Sequence, residues 1–275
     1  MNELKIMNTQ KKVGLNALFF ILTLIVNALG AFGLINGMSQ SDVSDQYFTL
    51  ITPSGFTFSI WSLIYGLLAI SLVVMYHSRE KIYYQKAIDI ITPLFILSCL
   101  LNIIWIVLFS FEMVELSTLF IFAYTIVLSL ICKQLLALND GNHFLLPLTF
   151  GFNTGWLMIA TVVNVAASLV KIGWNGFGLS DTVWAILTLI IAILIVILVT
   201  TQTQNAVIPL PIAWAFFGIH QSLANAHAGD YGLLQLIAIV GIVVLIGVAA
   251  IQFYKNSYHV LSKVAHNHSR LYTKL

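Results

Sequence analysis

The sequence predicts an all-α integral membrane protein of about eight transmembrane helices, and three observations carry that prediction. Of its 275 residues, 60% are hydrophobic and 8% are charged, whereas soluble domains average about 25% charged residues. The mean hydropathy is +0.97, and the apolar residues gather into eight runs, most of them near the ~20 residues a helix needs to cross a bilayer. If every run crosses, Lys5, Lys11, Lys12, Arg79, Lys81, Lys86, Lys133, Lys255, Lys263, Arg270 and Lys274 fall on the side of the termini and Lys171 alone falls opposite, eleven against one. The positive-inside rule then predicts cytoplasmic termini, in a plasma membrane of bacterial type. A missed helix would scramble the split, so the split supports the count.

Residues 1–12 form a polar, Lys-bearing N-terminus, followed by a run over 13–37. That run is longer than the 7–15 residues of a signal-peptide core, so it reads as a retained helix. Gly30, Gly33 and Gly37 line up at i, i+3 and i+7 on it and would admit a neighbouring backbone. Residues 38–56, with Asp42 and Asp45, form an external loop that ends in the Pro53-Ser54-Gly55 turn and feeds the second run, 57–77. Charged residues from Arg79 to Lys86 follow, and Asp89 and Pro93 open the third run, 90–110. Glu112 and Glu115 mark a turn so short that this run and the fourth, 116–137, make an antiparallel hairpin. The Asn139-Asp140-Gly141 turn leads into the fifth run, 144–170.

A glycine-rich connection, Gly173 to Gly178, reaches Ser180-Asp181, an N-cap for the sixth run, 182–200. Pro209 and Pro211 start the seventh, 209–226, because proline is tolerated in a first helical turn. Gly229-Asp230 precedes the eighth, 231–253. The chain so divides into an N-terminus 1–12, a five-helix core 13–170, three added helices within 171–253, and a basic tail 254–275 that lies solvated or against an anionic leaflet.

No Lys, Arg, Asp or Glu falls near the middle of a run, which counts against an ion-coupled pump. Helical carboxylate pairs for acid–base work and metal-ligand spacings are missing, and Cys99 and Cys132 read as small core residues inside apolar runs. His220 and His227 share a helix face near its outer end, where a hydrogen-bonded or interfacial histidine is the ordinary reading and a metal or haem ligand the other. What remains at depth is polar and uncharged. Trp61 and Tyr65, four apart, lie about 40° apart on one face; Asn102, Trp105 and Phe109 share another, and Trp156 and Asn164 a third, with Asn27 and Asn153 nearby in depth. In a bilayer such groups seek one another, as helix glue, or a ligand. A cavity of this kind suits a flat, largely apolar molecule with a few hydrogen-bonding edges, such as a tetrapyrrole or sterol. The predicted pocket opens toward the external side and is lined by Trp61, Tyr65, Asn102, Trp105, Phe109, Trp156 and Asn164, with Trp156 in its floor.

At these residues the chain resembles the tryptophan-rich sensory protein family, also called translocator proteins or peripheral benzodiazepine receptors, in its longer form with extra C-terminal helices. Pro53, Trp61 and Tyr65 match the motif entering the family's second helix; Leu101, Asn102, Trp105 and Phe109 that of its third; Trp156, Ala160, Thr161 and Asn164 that of its fifth. Gly55, Ile106 and Ser110 stand where the family has Trp, Ser and Phe, and residues 38–52 lack its Trp-rich segment. The resemblance covers about residues 13–170. It implies a five-helix core that binds porphyrins or sterol-like molecules and acts in their transport, sensing or turnover. No cofactor is required on this reading, a tetrapyrrole being a ligand. The expected partners are the lipid bilayer and a small apolar or porphyrin-like ligand, with a homodimer left open and nucleic acid not expected. A membrane enzyme acting on a bound tetrapyrrole, or a non-catalytic subunit of a larger permease, are the alternatives.

Overall fold

The structure, a computed structural model, describes residues 7–139, 141–226 and 231–263. Lys5, Asp140, His227, Gly229, Asp230 and the tail with Arg270 and Lys274 lie outside them. The described chain forms α1 (Thr9–Ala31), α2 (Gln40–Gln46), α3 (Ile60–His77, entered by a 3-10 turn at Gly55–Ser59), α4 (Ile82–Ser110), α5 (Val114–Leu138), α6 (Leu145–Lys171), α7 (Asp181–Thr203), α8 (Pro209–Ala226) and α9 (Gly232–Lys255). All of these except α2 and α8 are long and apolar enough to cross a membrane.

Helices α1, α4, α5, α6 and α3 close a ring, each packed on the next. Outside it, α8 packs on α6 and α9, and α7 on α9. A polar seam fixes the register of α1 on α4: the Lys12 ammonium pairs with Asp89 at 2.7 Å, and the Asn16 amide donates to Thr92 at 3.0 Å one turn further on. Asn27 donates to Asn102 near the far end. The two helices therefore run parallel, and the short turn at Glu112 (φ 57°) returns the chain antiparallel in α5, as its length predicts. Beyond α9, the Leu261 carbonyl accepts from the Asn139 amide at the end of α5. The start of α1 and the end of the described chain thus lie at the same end of the bundle, as an even number of crossings requires.

Two boundaries differ from the sequence reading. Helix α4 begins at Ile82, eight residues before 90, and Pro93 sits inside it rather than opening it; the early turns are helical because Tyr83, Tyr84, Ala87 and Ile88 bury an apolar face. Helix α1 ends at Ala31, so Gly33 and Gly37 are not on it. They take positive φ, 68° and 80°, in the turns that follow, a conformation open to glycine at no steric cost. Only Gly30 gives close approach: a Cβ there would stand 2.8 Å from Ile106 Cγ2 and collide with the Gln40 amide.

Helix α8, the seventh run of the sequence, is built differently from the others. The Asn205 amide donates to the Pro147 carbonyl at 2.8 Å, and a Cβ on Gly155 would collide with the Ile208 carbonyl. Residues 205–208, all buried, therefore follow α6 inward over eight residues, about 12 Å, before α8 begins. A helix start at that depth leaves its first N–H groups without acceptors or water. Pro209 and Pro211 have no N–H to leave, and Leu210 donates to the Val207 carbonyl at 3.1 Å. Because Ile212, Ala215, Phe216, Ile219 and Leu223 are fully enclosed by protein, α8 can be less apolar than a lipid-facing helix.

Candidate ligand-binding site

The five-helix ring encloses a cavity of about 590 Å³ at the end where α3 begins, lined by α1, α2, α3, α4, α6 and Ala215 of α8. Four large rings shape it. Trp61 and Tyr65, one helical turn apart, stack with centroids 5.2 Å apart and planes 18° from parallel. Trp105 tilts against Trp61 at 6.2 Å, and Trp156 meets Trp61 edge-on at 6.2 Å and 86°. Offset and edge-to-face contacts of this sort each add about 0.5–1.5 kcal/mol beyond burial. Phe109 continues the wall from Trp105 at 6.2 Å.

Six of the seven residues picked from the sequence line this cavity: Trp61, Tyr65, Trp105, Phe109, Trp156 and Asn164. Asn102 does not. It shares the α4 face of Trp105, but α1 covers it, and it lies fully buried where its carbonyl oxygen accepts from Asn27, which takes its place in the lining. Asn164 lines the wall with its amide already committed. Its Oδ1 accepts from the Trp105 indole N–H at 3.0 Å, and its Nδ2 donates to Thr118 at 2.7 Å and Ser117 at 3.1 Å. Asn164 therefore positions Trp105 on α4 and ties α6 to α5. Asn153 lies deeper, its amide 3.5 Å from the Tyr124 hydroxyl. His220 is on α8, its Nδ1 buried without a hydrogen-bond partner, and with His227 outside the described residues their pairing is not described.

Beside the cavity, the Trp156 indole N–H, the Tyr65 hydroxyl and the Asn102 amide nitrogen are enclosed by protein without a hydrogen bond of ordinary geometry, the last two facing each other. Among the described residues, no Lys, Arg, His, Asp or Glu lines the cavity.

Helix α2 covers the mouth with Ser39, Gln40, Ser41 and Ser44. Ser39 and Asp42 close a reciprocal capping box at its start, which holds the Asp42 carboxyl below its ordinary pKa through the Ser39 backbone and hydroxyl bonds. Asp45 is raised by partial burial and then by Asp42. Val43 seats the helix on Phe109, Val114 and Ala167, and at its far end Tyr47 and Gln46 both donate to Glu112 at 2.8 Å. Beside it, Lys171 is spent on Glu115 at 2.8 Å and the Glu112 carbonyl. The rim is therefore acidic.

A family model described as TSPO-like protein matches residues 13–251. The chain belongs to the TSPO-like family. No curated protein and no solved structure matches it. The TSPO-like chain is a multi-pass integral membrane protein, and the match runs through α7, α8 and most of α9 as well as the ring. Three contributions to the site escaped the sequence reading. Phe58 meets Trp156 edge-on at 6.2 Å. Ala215 adds a wall from α8. The Trp214 indole donates to the Thr57 carbonyl at 3.0 Å, and the Ser54 N–H donates to the Gly218 carbonyl, so α8 holds the 3-10 turn that aims Phe58 and Trp61. The small residue at 218 was the available signal, since a Cβ there would collide with Thr57.

Proposed function

We propose that this protein is a membrane receptor or carrier for a small, flat, uncharged and largely apolar molecule of sterol-like character. The observation that carries the reading is a cavity walled by Trp61, Tyr65, Trp105 and Trp156 with no charged side chain in its lining among the described residues. Its volume falls within the ~300–1,000 Å³ of small-molecule sites, and its pattern of apolar wall plus few polar atoms is theirs. The few polar side chains of the lining, among them Asn27, Ser62 and Tyr65, suit one carbonyl or hydroxyl of the ligand. A porphyrin has the required flatness, but its two carboxylates would meet no cation in the lining and an acidic rim at the mouth, and burying an unpaired charge costs several kcal/mol or more. The charge split along the sequence supports cytoplasmic termini, which puts the mouth on the outer side.

Protoporphyrin and its dimethyl ester separate shape from charge, since the ring is the same. Tryptophan quenching of the purified protein is expected to show the ester and a neutral sterol binding at least tenfold more tightly than the free acid. Tighter binding of the free acid would overturn the uncharged-ligand reading.

A further inference from the structure

A second cavity, of about 640 Å³, lies between α7 and the body formed by α5, α6 and α8. It is separate from the aromatic pocket and opens where α7 stands off from the bundle to pack on α9. Its walls are largely apolar, with Phe122, Ile126 and Leu130 from α5 opposite Ile191, Ile195 and Val199 from α7. One end carries two groups of another kind, Lys133 of α5 and Gln202 of α7. Lys133 is exposed and has no ion pair or hydrogen bond among the described residues. Among the described residues, no acidic one lines this cavity.

We infer that this slot is a binding site for one phospholipid with an anionic headgroup, its acyl chain against the α5–α7 walls and its phosphate held by Lys133 and Gln202. Depth supports this occupant. From Lys133 to Phe122 is eleven residues of helix, about 16 Å at 1.5 Å per residue, or roughly half of the ~30 Å hydrocarbon core. The slot is thus one leaflet deep, with Lys133 at headgroup level. The same end of the bundle holds the Lys12–Asp89 pair and the last described residues, the basic end of the chain, and basic groups at a membrane surface attract anionic lipid by about 1 kcal/mol each. A transmembrane helix from a second copy, about 10–12 Å across, does not fit between α7 and the two helices, α5 and α6, that it still touches. The inference does not depend on what occupies the aromatic pocket.

Native mass spectrometry of the full-length protein, delipidated and then titrated with phosphatidylglycerol or phosphatidylcholine of identical acyl chains, tests it. The wild type is expected to retain one phosphatidylglycerol with at least a tenfold preference. Lys133→Gln should reduce that preference to twofold or less while leaving phosphatidylcholine retention unchanged, Lys133→Arg should keep it, and Ala166→Phe, which fills the slot, should lower retention of both lipids. Unchanged preference in Lys133→Gln, or undiminished retention in Ala166→Phe, overturns the assignment. So does a shift of the monomer–dimer ratio in Ala166→Phe with lipid retention intact, which would make the slot a contact between copies.

Discussion

The bond from Trp105 to Asn164 makes the most quantitative prediction about the site. Asn164→Leu keeps the side-chain size but removes the acceptor of the Trp105 indole N–H and the donor to Ser117 and Thr118. Both hydroxyls keep another partner, the Val114 carbonyl, so the main loss is the indole N–H, buried at 7% exposure. An orphaned buried donor costs about 1–3 kcal/mol, and interhelical bonds in membrane proteins couple by about 0.6 kcal/mol on average and up to about 1.7. Trp105→Phe removes the donor while keeping a ring in the wall. The account expects Asn164→Leu to lose about 1–3 kcal/mol and the double variant to lose about 0.6–1.7 kcal/mol less than the sum of the singles. Equilibrium unfolding in mixed micelles, followed by near-ultraviolet circular dichroism, measures all four corners of the cycle. Additivity within the ~0.3–0.5 kcal/mol seen for independent sites would refute the positioning role of Asn164.

Gly155→Ala should destabilise the fold by about 1–3 kcal/mol despite its better helix propensity, because the new methyl meets the rigid Ile208 carbonyl and must push α8 away; a thermal shift in detergent reads it. Gly14→Ala, in open space on α1, should be neutral or slightly stabilising in the same assay. At the mouth, Ser39→Ala removes the cap of α2 and should speed ligand exchange, measured by stopped-flow displacement. The Asp42 partner gives that cap a pH dependence. Its folded pKa lies below the ordinary value, so its contribution is full above about pH 4 and fades as pH falls through the lowered value; exchange should quicken only under that acid condition. Asp89→Ala should destabilise more than Lys12→Met, by on the order of 1 kcal/mol, since it strands the buried Lys12 ammonium whereas the reverse change leaves the half-exposed Asp89 in water.

The crossings were legible because a bilayer demands long apolar helices, and the site was legible where a motif sat on one helix face, as with Trp61 and Tyr65. Contacts between faces were not. Asn102 and Trp105 have the same claim on the pocket by spacing, and only the position of α1 decides that one is covered and the other is not. The seventh run read as an added helix because its docking is done by small residues and backbone: Gly155 against Ile208, Gly218 against Thr57, and a Trp214 bond to a carbonyl. None of these leaves a periodic signature. The start of α4 was placed late because Lys86 and Asp89 interrupt the apolar count, yet on a helix they fall beside a buried face of Tyr84, Ala87 and Ile88.

The central claim is that the aromatic box holds the ligand. Its most direct test is the affinity for protoporphyrin dimethyl ester of wild type, Trp61→Ala, Trp156→Ala and Trp184→Ala, all shown to be folded. Losing a stacked ring should cost about 0.5–1.5 kcal/mol beyond lost burial, so the first two variants should bind several-fold more weakly or worse. Trp184, bonded to the Gly176 carbonyl at 2.7 Å on α7 and outside the cavity lining, should leave the affinity unchanged. Equal affinity across all four proteins would contradict the account and leave these rings as helix packing alone.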